Sequence, residues 1–108
     1  MCGGRGYFDR EAVAAELAHL GPRDVLVHGA APGADRIAAE LWHGKAEAFP
    51  AEWAMYGRAA GPIRNQLMLE SGIDLVIAFP GGDGTADMVT RALKAGVWVM
   101  SIADDAEV

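Results

Sequence analysis

FPGGDGTADM (residues 79–88) follows the apolar run IDLVIAF (73–79) and leads into a segment with helical spacing. A short apolar run, a glycine-rich turn and then a helix together read as one strand–loop–helix unit. The same sequence of events occurs twice more. DVLVH (24–28) runs into HGAAPGAD (28–35), and the first two residues run into CGGRGYFD (2–9). In an open parallel sheet all three turns stand at the carboxyl ends of strands, the edge at which such folds bind ligands. Glycine admits φ > 0 and lets a ligand approach the backbone without a Cβ in its way. The helix that follows offers unpaired N–H groups and a partial positive charge, a seat for phosphate. Thr85 either adds its hydroxyl to that seat or only caps the helix.

The rest of the chain fills in the same pattern. Strands are expected at 24–28, 73–79 and 97–102, and a weaker one at 46–49. Continuous apolar strands predict a parallel sheet covered on both faces. Helices are expected at 9–20, stopped by Gly21-Pro22, at 34–43, and at 85–95 before Gly96. A further helix over 52–71 is expected to break at Gly61-Pro62, since proline starts a helix well. The fold class is therefore α/β: a single Rossmann-like, three-layer domain over 1–103 with a mostly parallel sheet of about five strands, followed by a short acidic tail at 104–108. The first strand is nearly missing, because only Met1-Cys2 precedes Gly3.

Composition limits the function. The chain has 108 residues, 52% of them hydrophobic, enough for one core. Its net charge is −6, and its nine Lys and Arg are scattered, which argues against nucleic acid as a partner. No apolar run is long enough for a membrane span. The lone Cys2 and the absence of a signal-like start fit a cytoplasmic protein. No Cys/His spacing supports a metal site. No Gly-Lys-Ser/Thr follows the third loop, so it is not a Walker loop. GRGYFD (4–9) carries Asp9 where a dinucleotide fingerprint needs glycine, so hydride transfer is disfavoured and no cofactor is expected.

GGR (3–5), HGAAPGADRIAAE (28–40), FPAEW (49–53), YGRAAGPIRNQLML (56–69) and AFPGGDGTADMV (78–89) resemble the SLOG superfamily, and within it the small YspA-type, YpsA-related branch. More distantly the chain is similar to the Lonely Guy phosphoribohydrolases and to DprA. The resemblance implies a nucleotide or phosphoribosyl compound at the glycine-rich edge, and a homodimer. In the Lonely Guy motif PGGxGTxxE, an arginine from the preceding helix works with the final glutamate to cleave a base from ribose 5-monophosphate. By position that arginine is Arg64 and that glutamate is Met88, which cannot ionise.

Two functions follow as expectations. The first is a non-catalytic module that senses or sequesters a nucleotide-derived small molecule. The alternative is a hydrolase acting on an N-glycosidic or phosphoribosyl bond, with Arg64 and, for want of the glutamate, Asp87 as catalytic residues. Gly4, Arg5, His28, Gly29, Gly33, Asp35, Arg64, Asn65, Gly81, Gly82, Asp83, Gly84 and Thr85 are the candidate ligand-binding residues. Asp35 is explained either by the dipole of its helix or by a ribose hydroxyl, and Asn65 either binds the ligand or caps. Arg64 is expected in the first turn of its helix, where a cation is disfavoured unless used. Met88 is expected to pack on the sheet. Trp42, Trp53 and Trp98 read as core or dimer contacts, Trp53 standing nearest the ligand rim.

Overall fold

The structure, a computed structural model, describes residues 1–102. The acidic tail at 104–108 lies outside the described residues.

Asp9 caps the first helix, α1 (Arg10–Leu17), by accepting the Ala12 N–H at 3.1 Å. The helix buries Val13 and Leu17 and ends earlier than its spacing predicts, because His19 and Leu20 bond three residues back and tighten the last turn. Strand β1 (Leu26–His28) follows, then α2 (Ala34–Leu41) and strand β2 (Ala46–Ala48). Next come α3 (Trp53–Tyr56), a 3-10 turn (Gly57–Ala59) and α4 (Ala60–Glu70). The expected break therefore falls at Gly57, whose φ of +56° ends α3, and not at Gly61-Pro62. Pro62 lies inside the first turn of α4, where its missing N–H has no intrahelical partner to lose. Strand β3 (Leu75–Ala78), α5 (Asp83–Lys94) and β4 (Trp98–Ser101) complete the order. α5 closes with Gly96 at φ +75° and bonds from Gly96 N–H to Leu93 O and Val97 N–H to Ala92 O, a Schellman cap.

The sheet differs from the expected five strands. It consists of two parallel pairs, β1 with β2 in register Leu26↔Ala46, and β3 with β4 in register Leu75↔Trp98. Met1-Cys2 joins them as a single parallel bridge to Ala78. The Met1 amino group donates to Val27 O (3.0 Å), Cys2 N–H to Ile77 O (2.9 Å), and Phe79 N–H to Cys2 O (2.9 Å). Two residues supply the central connection but are too few to continue a ladder.

Each face of β3 then has its own core. Ile77 and Phe79 pack with Val13, Leu17, Ile37 and Ala38 of α1 and α2. Val76 and Ala78 pack with Met68, Met88 and Ala92 of α4 and α5. This alternation is the period-2 geometry of a strand between two helical layers. The outer strands are not covered on both faces as expected: β2 is exposed along its length, and Trp98 on β4 is 80% exposed. Among the described residues they are edges, each with a partner on one side only.

Candidate functional site

The three glycine-rich loops meet. Gly4 N–H donates to Pro80 O at 2.9 Å and Ala34 N–H to Gly4 O at 3.4 Å. Gly33 has φ +84°, and a Cβ there would run into the Gly4 and Arg5 backbone, so the second loop touches the first only because it has no side chain. The meeting point opens into a crevice of about 520 Å³ lined by Gly4, Arg5, Trp53, Arg64, Asn65 and Thr85, among others.

Arg64 is the fifth residue of α4 rather than part of its first turn, because the helix begins at Ala60. From there its Nη1–H donates to Gly29 O at 2.7 Å and its Nε–H to Asn65 Oδ1 at 3.0 Å. The guanidinium lies so close to Gly29 that any Cβ at that position would overlap it. Burial, with Arg5 acting in the same direction, lowers the Arg64 pKa against the opposing pull of Asp35. It remains a cation at neutral pH.

Asn65, 3% exposed, passes the connection on. Its Nδ2 donates to Gly84 O (3.2 Å) and Asp87 Oδ2 (2.9 Å), and Arg91 Nε donates to the same Asp87 oxygen at 2.9 Å. A polar chain thus runs from the end of β1 through α4 to α5. Burial pushes the Asp87 carboxyl up, but the hydrogen bonds from Asn65 and Arg91 outweigh it and hold the pKa below its ordinary value. Arg91 was not singled out in the sequence, though its i,i+4 spacing from Asp87 was a readable signal.

Asp35 takes a role its position in sequence does not suggest. Only 5% exposed, its Oδ2 accepts the Gly29 N–H at 2.8 Å and the Ala31 N–H at 3.5 Å, so it clamps its own loop. His28 is also turned inward: its Nδ1 accepts the Ala30 N–H at 3.0 Å, and burial lowers its pKa. Ala30 is held at φ +57° by this double grip.

α5 begins at Asp83, so Thr85 is its third residue and not its cap. Gly82 is the cap and offers no side chain, which leaves the first-turn N–H groups of the helix without intrahelical acceptors. Gly81, Gly82, Asp83 and Gly84 are exposed. The Thr85 hydroxyl rests against Gly81, where a Cβ would meet it and, at 2.7 Å, the Gly4 nitrogen. Arg5 is exposed and stands 5.7 Å over the ring of Trp53, a cation–π contact at the mouth of the crevice. Trp53 is 49% exposed there, a wall of the crevice rather than a core residue. Arg58 lines the crevice too and was not anticipated. Met88 is 3% exposed among Cys2, Met68, Val76 and Ala92, so the position of the Lonely Guy glutamate faces the core. Burial raises the Cys2 thiol to about 11, which leaves it un-ionised. Among the described residues no group of His, Cys, Asp and Glu is placed to hold a metal ion, and no helix is long and apolar enough to cross a membrane.

Residues 1–56 match the YspA, cpYpsA-related SLOG family. The chain is also similar to the gene 61 protein of Mycobacterium phage D29, 38% identical over a gapped alignment of 119 positions that covers 96% of this chain and 94% of that one. No solved structure matches it. With half of the chain matching the family and a relative aligned along nearly the whole of both chains, the protein belongs to the YspA, cpYpsA-related SLOG family.

Proposed function

We propose that the protein binds a nucleotide or phosphoribosyl-type small molecule in the crevice at the glycine-rich edge, and senses or sequesters it without altering it. One observation carries this reading: a half-buried guanidinium, Arg64, is held by Gly29 O at the point where three side-chain-poor loops converge. Among the described residues two of its five N–H donors are engaged. The others, with the first-turn N–H groups of α5, suit an anionic group. The catalytic side is weak, since Met88 lies in the core and His28 and Asp35 are committed to their own loop.

Thermal unfolding against AMP, NAD and ADP-ribose tests the proposal. A binder raises the midpoint and is recovered intact. Arg64→Ala lowers affinity by roughly 10–100-fold, the range of a hydrogen bond to a charged group. An unchanged shift in that variant refutes the assigned crevice.

Asp87 favours a second reading, because its carboxylate is ionised and reaches the crevice wall. Release of free base from any of the three nucleotides, lost in Asp87→Asn, makes the protein a hydrolase. The proposal includes a pair of copies, as the resemblance implies, in the cytoplasm, which the lone Cys2 fits. Exposed Trp98 on the edge strand β4 suits such a contact, and sedimentation of the parent and Trp98→Lys checks it.

A further inference from the structure

Three large side chains of α3 stand outside both cores: Trp53 is 49% exposed, Met55 68% and Tyr56 46%. The helix has four residues and buries none of them, so core packing does not explain its tryptophan. Of the three, it is Trp53 that lines the ligand crevice. Two neighbours fix how the indole is presented there. A Cβ at Gly61 would stand 3.3 Å from Trp53 Cη2, so the ring rests its edge against a residue of α4 that has no side chain. Arg5 covers a face, its Cζ 5.7 Å from the ring centroid. Among the described residues Arg5 has no ion pair, and neither has Arg58 on the same crevice. An indole face and a guanidinium plane are the two surfaces on which proteins stack bases, because every base has a π-face.

Arg5 also sets the distance from this ring to the glycine loops. It leaves the chain beside Gly4, where the first loop touches Pro80 and Gly81 ahead of α5. Its side chain reaches from there to Trp53, so the loop contact and the ring lie about one arginine side chain apart. A ribose bridges a comparable gap between its 5′-phosphate and its base. After burial, Arg5 is a further cause that lowers the Arg64 pKa, so the two guanidiniums feel each other across the crevice. An anion between them relieves that repulsion.

On the reading that the crevice binds a nucleotide or phosphoribosyl-type molecule, we propose that Trp53 is its base-stacking platform, and that the ligand carries an aromatic base rather than being a bare sugar phosphate. The base lies on the indole face that Arg5 covers, and the Arg5 guanidinium moves onto the far side of the base. The phosphate lies toward Arg64 and the first turn of α5.

The full chain is titrated calorimetrically with AMP and with ribose 5-phosphate, as the parent and as Trp53→Leu, Trp53→Phe and Arg64→Ala. In the parent, AMP is expected to bind about tenfold more tightly than ribose 5-phosphate, the gain of one base–aromatic stack. AMP is also expected to quench tryptophan fluorescence in the parent and not in Trp53→Leu. Trp53→Leu should bring AMP down to the affinity of ribose 5-phosphate and leave the latter unchanged. Trp53→Phe, which keeps a ring, should retain most of the preference. Because Trp53 belongs to neither core, the unfolding midpoint of the free variants should stay near that of the parent. Equal affinity of the two ligands in the parent, or a preference for AMP that survives Trp53→Leu, overturns the platform and leaves the crevice as a phosphate site. Arg64→Ala should weaken both ligands alike. If neither ligand binds the parent, or Arg64→Ala weakens neither, the reading of the crevice itself fails and the platform falls with it.

Discussion

Two side chains of the second glycine loop, His28 and Asp35, hold the loop's own backbone rather than waiting for a ligand. Ala30 has the one positive φ among described non-glycine residues, a conformation that costs about 1–2 kcal/mol for an L side chain. Since glycine also gives up more freedom on folding, Ala30→Gly should stabilise the fold by a net of about 0.5–1 kcal/mol, read by urea unfolding. The side chain of Ala30 is exposed, so nothing else is lost. His28 makes a pH prediction. Its Nδ1 can accept the Ala30 N–H only when unprotonated, and its folded pKa lies below the ordinary 6.5. Above 6.5 both states are neutral and His28 adds no pH dependence. Below it the unfolded chain takes up a proton that the folded chain resists, so stability falls with pH, by at most about 1.4 kcal/mol per unit. Unfolding midpoints between pH 7.5 and 5 should slope less in His28→Asn than in the parent. The sequence placed His28, Gly29 and Asp35 at one loop, but not the bonds from Gly29 N–H to Asp35 and from Ala30 N–H to His28. Those depend on how the loop folds back, with Asp35 returning to Gly29 across a turn.

At the scale of elements, α4 and α5 are locked by Asn65, Asp87 and Arg91 rather than by apolar packing alone. Arg91 also reaches Gln66 Oε1 at 3.1 Å. Because Arg91 and Asp87 are about one-third exposed, Arg91→Met should cost only about 0.5–1 kcal/mol at neutral pH. The folded pKa of Asp87 lies below its ordinary value of 3.8, so its contribution is complete above that value and fades as pH falls below it. Denaturant midpoints of parent and variant should therefore converge in acid. The existence of every helix was legible from its spacing, but several boundaries were not. α5 starts two residues before Thr85 because Gly82, not threonine, makes the cap. α3 ends at Gly57 because that residue adopts a left-handed φ, which sequence alone does not distinguish from the glycine at 61. A start moved by two residues turns a helix about 200°, and Arg64 changed from a first-turn oddity to an interior donor by the same kind of shift.

For the whole molecule, two half-sheets are held by Met1-Cys2 and by the helices that span them. Met88 belongs to the second core, so placing the carboxylate of the Lonely Guy motif there tests the fold as much as the chemistry. Met88→Glu should lose on the order of 3–5 kcal/mol by burying an unpaired charge and should release no base from AMP; urea unfolding and product assay check the two halves of that statement. A stable, active variant would mean that position 88 can face the crevice. The sequence by itself determined the alternation of strand and helix, the three glycine turns on one edge and the family, because these rest on local periodicity and on residues adjacent in the chain. Only the tertiary structure decided that Arg64 grips Gly29, 35 residues away, that Asp35 serves its own loop, and that Met88 faces inward. Each of these depends on the phase of one element against another, which no stretch of the chain encodes alone.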